Sequence, residues 1–397
     1  MRELIKKYLQ GDSVIWIIFF VLCMVSIVEL YSASSTLANK AATHTAPLMR
    51  HIMFLGLGAC IVIAVHIVNY KNINKIAYIL LGISILALIY AMFRGVSAND
   101  AKRWIGIAGI QFQPSELAKL SLIVVVADLV ARAKTPGLMN KSFKIIVAVT
   151  VPICALIFKE NLSTAVILFS VIFLMMIIGR VPFKKLGLLL GSIIVAGVVF
   201  IAVMHIVPES NRENGFFSRY YTWEGRITNF QKSDYHELTP INDQNRQEIH
   251  SQIAIARGGA VGVGPGNSLE RNFLPQAYAD FIYAIIVEEL GLGGGLVVML
   301  LYLWLLFRAG QIAWRSDDSY PSLLVIGLTL MIVIQAFVSM AVTAHVGPIT
   351  GQPLPLISRG GTSILVTSVY FGIILSVTRY FKMQKKESTY SLGDNTR

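Results

Sequence analysis

The sequence predicts an all-α polytopic membrane protein of about ten transmembrane helices, with one large extracytoplasmic loop between the seventh and eighth. Three observations carry this. Of 397 residues, 55% are hydrophobic and 14% charged, which leaves too little polar surface to cover a water-soluble globule of this size. Mean hydropathy is correspondingly high, at +0.65. Apolar runs also recur at the roughly 17–25 residues that a hydrocarbon core of about 30 Å demands. The formal charge of +12 does not mark a nucleic-acid binder, because Lys and Arg sit mostly in short loops between apolar runs and not along one face or arm.

In order, the spans fall near 14–31, 50–68, 76–93, 115–131, 144–158, 162–178, 186–207, 280–307, 322–345 and 357–378. The first follows Arg2, Lys6 and Lys7 in the manner of a secretory signal, yet no small-residue cleavage site comes after it, so it reads as a retained helix. Pro152 interrupts the fifth, which turns tightly into the sixth at Lys159-Glu160-Asn161. Alternate short loops hold Lys71 and Lys75, Arg132 and Lys134, Arg180 and Lys184, Arg308 and Arg315, and Arg379 and Lys382. The positive-inside rule puts those loops, both termini and the 380–397 tail on the cytoplasmic side of the membrane. Cys23, Cys60 and Cys154 lie within apolar runs and read as buried packing residues, not as disulfide partners or metal ligands.

The loop at about 208–279 is too long to be structureless in a compact protein. Its first half carries Phe216, Phe217, Tyr220, Tyr221 and Trp223, suited to an interfacial belt or a sugar-stacking surface. Ile249, Ile253 and Ile255 then recur at helical spacing up to Gly258-Gly259, an amphipathic helix with a glycine stop. Residues 258–266 hold five glycines and read as a flexible turn; without a strand before and a helix after, they are no dinucleotide fingerprint. From Glu387 the chain reads as a disordered tail.

Charges at membrane depth are costly and face a cavity or a partner. Four clusters qualify. Lys102, Arg103 and Trp104 lead through Gln113, Pro114 and Ser115 to Glu116 and Lys119; Ser115 suits a helix cap, and Glu116 and Lys119 share one helical face. That pattern serves a local ion pair as well as a substrate contact. Lys159 and Glu160 form an acid–base turn, read first as a salt bridge at a helix start. Asp280 sits where a polar loop enters a long apolar segment, a place where the helix dipole favours a carboxylate. Between His345 and Ser363, three prolines and four glycines break any helix, which is tolerated only where protein or a wet cavity satisfies the backbone; Arg359 there can present a cation to a phosphate. His66, His205 and His345 lack metal-ligand spacing, so no structural zinc is expected. All four clusters fall at extracytoplasmic ends and converge on one outward-opening polar site.

Taken together, Arg103-Trp104 with Phe112-Gln-Pro-Ser-Glu-Leu-Ala-Lys119, Leu274-Pro275 with Asp280-Phe-Ile282 and Glu288-Glu-Leu-Gly291, and Leu354-Pro-Leu-Ile-Ser358 with Gly360-Gly-Thr-Ser363 resemble the SEDS family of shape, elongation, division and sporulation proteins, the RodA and FtsW type. The resemblance spans residues 1–397 as a single membrane domain, and the pattern is more similar to the division-type branch than to the elongation-type one. It implies a peptidoglycan glycosyltransferase that polymerises lipid II into β-1,4 glycan strands at the outer face of the membrane, working with a class B penicillin-binding protein as transpeptidase. It also implies Asp280 as the catalytic residue, with Arg103, Trp104, Glu116 and Lys119 lining the same cavity.

An inverting transfer needs a base for the acceptor hydroxyl and cations for the departing pyrophosphate. Lys119, Arg103, Arg359 and Arg271 are candidates for the second task, with Lys159 and Ser358 as further substrate contacts. No cofactor is assigned, and a divalent cation stays open. The sequence departs from the family pattern at Arg359, where many members have Tyr, and at Lys159 to Thr164, which replaces a more usual Gln-Pro-Asp-Leu-Gly-Thr. A lipid II flippase and a non-catalytic scaffold for the transpeptidase are alternative readings of the same features.

Overall fold

The computed structural model describes residues 9–33, 46–98, 101–107, 110–135, 137–206, 216–232, 245–274 and 277–394. Seven helices come first: α1 (Ser13–Ala33), α2 (Ala46–Ile67), α3 (Tyr70–Arg94), α4 (Pro114–Ala133), α5 (Met139–Glu160), α6 (Leu162–Ile178) and α7 (Phe183–Ile206). Two shorter helices, α8 (Phe216–Lys232) and α9 (Arg246–Gly258), lie in the large loop, and α10 (Ile282–Trp314), α11 (Ser319–Thr343) and α12 (Gly361–Asp394) complete the chain. Each range read as a span overlaps one of these helices. Eight of these helices are long and apolar enough to cross a membrane. The other two are α4, which carries Glu116, Lys119, Asp128 and Arg132, and α6, which has 17 residues.

The helices pack around one apolar core, with polar residues towards its ends. At one end, the base, Arg308 donates to both carboxylate oxygens of Asp12 at 2.7–3.1 Å. The backbone N–H of Asp12 donates to Thr378 Oγ1 at 3.0 Å, and Arg379 donates to Gln10 and to the carbonyl of Ile67. The first described residues, α10 and α12 are thereby tied together. Burial pushes the Asp12 carboxyl up, but the hydrogen bonds and charge of Arg308 outweigh it and hold the group below its ordinary range. A carboxyl depressed by folding contributes stability above its unfolded pKa, and that contribution is lost as pH falls through the folded value. Asp12→Asn should therefore cost about 1.5–3 kcal/mol near neutral pH, read as a lowered thermal midpoint in detergent, and the deficit should close below about pH 4.

Burial sorts the helices. In α11 and α12 the apolar windows are 72% and 78% buried, against 11% in α7, so the former are central and the latter peripheral. The charged α4 is also central, with Leu122 to Val126 enclosed; four charges in one helix are affordable only against protein. Cys60 departs from its expected buried role and lies exposed on α2, while Cys23 and Cys154 are partly buried. The chain from Glu387, expected as a disordered tail, continues α12 to Asp394.

Two elements at the end opposite the base, the loop end, were not legible in the sequence. One is a small antiparallel sheet of β1 (Val96–Ala98), β2 (Ala101–Ile107) and β3 (Ile110–Phe112), in that spatial order. The other is α8, whose aromatics face its neighbours: Trp223 meets Phe158 of α5 and Tyr220 meets Phe200 of α7, ring centroids 4.9 and 5.9 Å apart. These ring contacts pack α8 against α5 and α7.

Residues 258–266 are not a loose turn. Helix α10 is broken at Gly291, with φ 69° and ψ −177°, a conformation that only glycine adopts at low cost. The break frees the carbonyls of Glu288 and Glu289, which accept from the N–H groups of Val263 and Gly264 at 3.0 and 2.9 Å, while Leu292 N–H donates to the carbonyl of Gly259 at 2.9 Å. The glycine run thus takes over the hydrogen bonds that the helix gives up.

Candidate active site

Asp280 lies in the turn just before α10, which starts at Ile282. The irregular chain after α11 clamps that turn. Ser358 Oγ donates to the carbonyl of Ala279 at 2.5 Å and accepts from Leu354 N–H at 2.7 Å. Arg359 N–H donates to the carbonyl of Tyr278 at 2.9 Å, and the Arg359 guanidinium lies 5.1 Å from the centre of the Tyr278 ring. Three contacts from two consecutive residues therefore fix the backbone directly before Asp280. Gly351, with φ 63°, stands against the carboxylate; a Cβ there would lie 3.4 Å from Asp280 Oδ2. The positive φ explains a glycine at that position.

The charges of two guanidinium groups reach Asp280. Arg103 is carried by β2 and held by its Nε bond to the carbonyl of Glu160, 2.8 Å. Arg226 comes from α8 and donates to the carbonyl of Ile349 at 3.1 Å. Burial pushes the Asp280 carboxyl above its ordinary range, and the charges of Arg103 and Arg226 pull it back down without cancelling the rise. A carboxylate raised in this way is a better proton acceptor than one in water. Arg103 and Arg226 also line an open cleft with Asn161, Ser163, Trp223 and the 348–350 segment. Asn161 serves as end cap of α5 and start cap of α6, accepting from Thr164 N–H at 3.2 Å. Gln352 bonds both Asn161 and Thr164, so the turn of the second cluster is joined to the loop of the fourth.

Of the residues singled out by sequence, Arg103, Asp280, Ser358 and Arg359 come together here. Trp104, half-buried, pairs with Val96 in the small sheet. Lys159 is half-buried at the end of α5. Four of the expected substrate contacts, Glu116, Lys119, Ser358 and Arg271, are occupied otherwise. Lys119 is sealed at 1% exposure, bonded to Glu116 at 2.7 Å and to Gln335 at 3.2 Å; Gln335 in turn donates to the carbonyl of Pro353. The Glu116–Lys119 pair therefore supports the proline-rich loop from beneath. Ser358 spends its hydroxyl on positioning Asp280. Arg271 belongs to a separate cluster, donating to Ser32 at 2.7 Å and lying 3.9 Å from Glu289. In that cluster the enclosed Glu288 and Glu289 accept from Ser268, from the backbone N–H groups of Gly266, Ser268 and Leu269, and from Arg257. They are structural carboxylates.

Sequence reading missed Arg226. Its only signal was membership of an aromatic-rich stretch, and a surface arginine there looks like any other. Among the described residues no group of three or more His, Cys, Asp or Glu is placed to hold a metal ion, and no step is assigned to one.

The Cell cycle protein family, FTSW_RODA_SPOVE, matches residues 12–383. The chain belongs to that family. Among its members, the probable peptidoglycan glycosyltransferase FtsW of Bacillus subtilis (strain 168) is 30% identical over 395 residues, covering 98% of this chain and 94% of that protein. Stage V sporulation protein E of the same organism is 28% identical, covering 94% and 98%. The crystal structure of the rod shape determining protein RodA of Thermus thermophilus superposes with a TM-score of 0.65 at 22% identity, over 94% of this chain and 98% of that one. A chain from a peptidoglycan synthase complex, described as coordinating polymerization and crosslinking, superposes at 0.71 with 24% identity, over 93% and 98%. These likenesses establish a shared multi-pass membrane fold of the bacterial inner membrane for this FtsW/RodA/SpoVE-type chain.

Proposed function

We propose that this chain is a peptidoglycan glycosyltransferase that polymerises lipid II, with Asp280 as general base. The observation that carries the reading is one clamped carboxylate, raised by burial and reached by the charges of two guanidinium groups, at the loop end of a membrane bundle. Family membership supplies the substrate class. Lys71, Lys134, Lys185, Arg308, Arg379 and Lys382 gather at the base, so the positive-inside rule makes that end cytoplasmic and the Asp280 end extracytoplasmic.

The reaction follows from these parts. Asp280 accepts the proton of the acceptor 4-hydroxyl as its oxygen attacks the anomeric carbon of the donor. The bond from that carbon to the undecaprenyl pyrophosphate breaks with inversion, and Arg103 opposes the charge growing on the leaving group. One displacement needs no second, nucleophilic carboxylate. Glycan strands need cross-linking, so a class B penicillin-binding protein with a transpeptidase domain is the proposed partner; the synthase complex that shares this fold supports that pairing.

Liposomes carrying lipid II in one leaflet only test the reading against transport: the transferase makes polymer from lipid II in the leaflet next to the loop end, whereas a flippase moves lipid II across without polymer. Arg226 supplies a second test. Because its charge lowers the Asp280 pKa, Arg226→Ala should shift the acid limb of the pH–rate profile to higher pH while reducing the rate near neutral pH on the order of tenfold. An unshifted limb would remove Arg226 from the site.

A further inference from the structure

At the base of the bundle, the turn from α2 to α3 and the last part of α12 enclose a cleft of about 210 Å³. Val68 and Asn69 line it from the turn, and Ser376, Arg379, Tyr380 and Met383 from α12. Its place is a membrane boundary: the apolar span of α2 ends at Ile67, that of α3 begins at Tyr70, and that of α12 ends at Gln384. Helices α2 and α3 are each only 22% buried over their apolar windows, so hydrocarbon chains can lie along both. Ile67 and Met383, at the edge of the cleft, are exposed.

The polar lining is rich in donors and cations, and no Asp or Glu lies in it. Two carbonyls of the turn that would repel an anion are already taken: Ile67 accepts from Arg379 at 3.0 Å and Val68 from Ser376 at 2.5 Å. The first of these bonds, with the Nε bond to Gln10 at 2.6 Å, holds the Arg379 guanidinium in place. It does not exhaust it, because a guanidinium has five N–H donors and Nη2 makes no hydrogen bond among the described residues. Asn69 gives its side-chain oxygen to the N–H of Lys71 at 2.9 Å, which leaves its amide NH₂ as a donor. Lys71 is exposed, and its ammonium stands 5.3 Å from the centre of the Tyr380 ring; among the described residues it has no acidic partner. A fixed fork, a point charge and an amide donor around one cleft match the oxygens of a phosphate.

We propose that this cleft binds the headgroup phosphate of an anionic phospholipid from the leaflet at the base, with Arg379, Lys71 and Asn69 on the phosphate and the acyl chains along α2 and α3. The boundary position and the lipid-facing helices beside it favour a lipid over a soluble phosphate. A headgroup that carries its own ammonium would set a third positive charge against Arg379 and Lys71, so the site selects a net negative lipid such as phosphatidylglycerol. Its occupant ties the α2–α3 turn to α12. The proposal is independent of the glycosyl-transfer reading, whose Asp280 lies at the loop end.

The test is lipid binding to the full chain in detergent micelles, followed by native mass spectrometry and by the thermal midpoint as phosphatidylglycerol, phosphatidylcholine or glycerol phosphate is added. Phosphatidylglycerol should be retained and should raise the midpoint, and the other two at the same concentration should do neither. Lys71→Gln should weaken phosphatidylglycerol binding about fivefold, the effect of one basic residue at a membrane surface, and Arg379→Lys by more, since an ammonium replaces the fork. Lys141→Gln removes an equal charge from an exposed residue at the start of α5, outside the cleft, and should leave the affinity unchanged. Arg379→Lys also gives up the bonds to Gln10 and Ile67, so if that variant fails to fold the exposed Lys71→Gln decides alone. Equal losses in Lys71→Gln and Lys141→Gln would show a diffuse charge effect and overturn the site. Equal protection by phosphatidylcholine or by glycerol phosphate overturns the anionic lipid as its occupant.

Discussion

Asp280→Asn should abolish glycan polymerisation from purified lipid II in the presence of the partner protein, while leaving the fold intact. Loss of a general base costs on the order of 10²–10⁴-fold in rate, which takes polymer below detection on a gel. The stability half of the expectation follows from the sign of the pKa shift. Burial raises the Asp280 carboxyl, so the folded protein holds its proton more tightly than the unfolded chain does. Such a group favours the fold below its unfolded pKa and loses that contribution as pH rises through the folded value. At neutral pH the ionised Asp280 is therefore a strain on the fold, and its neutral isostere should melt at or above the wild-type temperature. An inactive variant that melts lower would point to a structural carboxylate; near-normal polymer would sink the assignment. A non-catalytic scaffold predicts that the same variant still supports growth in cells.

Gly291→Ala should be the most damaging single-methyl change in α10. At φ 69° an L side chain is strained, and a Cβ would lie 2.4 Å from the carbonyl oxygen of Ala260, a backbone atom with no rotamer to yield. Strain of this kind costs about 1–3 kcal/mol before any clash is counted. Removing the break would also re-form the helix and leave the N–H groups of Val263 and Gly264 without their acceptors. Gly310→Ala, in the same helix with open space around it, should instead be neutral or stabilising by up to about 1 kcal/mol. Thermal midpoints of the two variants in detergent check the contrast; equal values would show that the break is not required.

Much of the architecture was legible because membrane insertion imposes a length and an apolar composition that a linear sequence records directly. The Glu116–Lys119 pair was legible too, since helical spacing alone sets residues three apart side by side, and the stop of α9 at Gly258-Gly259 follows from local backbone preference. The small sheet and α8 were not. The three strands are at most seven residues long, too short for their alternation to stand out, and the packed face of α8 is defined by Phe158 of α5 and Phe200 of α7, outside the helix itself.

The candidate site divides in the same way. By itself, the sequence determined that Asp280 stands at the mouth of a membrane segment, that Arg103 and the proline-rich stretch belong to polar ends, and which family pattern these residues match. Only the tertiary structure decided their roles. It brought Arg226 to Asp280 from a helix whose sequence gave no hint of it, turned Ser358 inward to hold the Ala279 carbonyl, sealed Lys119 under the loop and sent Arg271 to a different cluster. The reason is physical: membrane depth and helical phase are written in local composition, whereas whether a buried cation meets a carboxylate, a carbonyl or a substrate depends on which distant segments the packed bundle brings within about 3 Å of it.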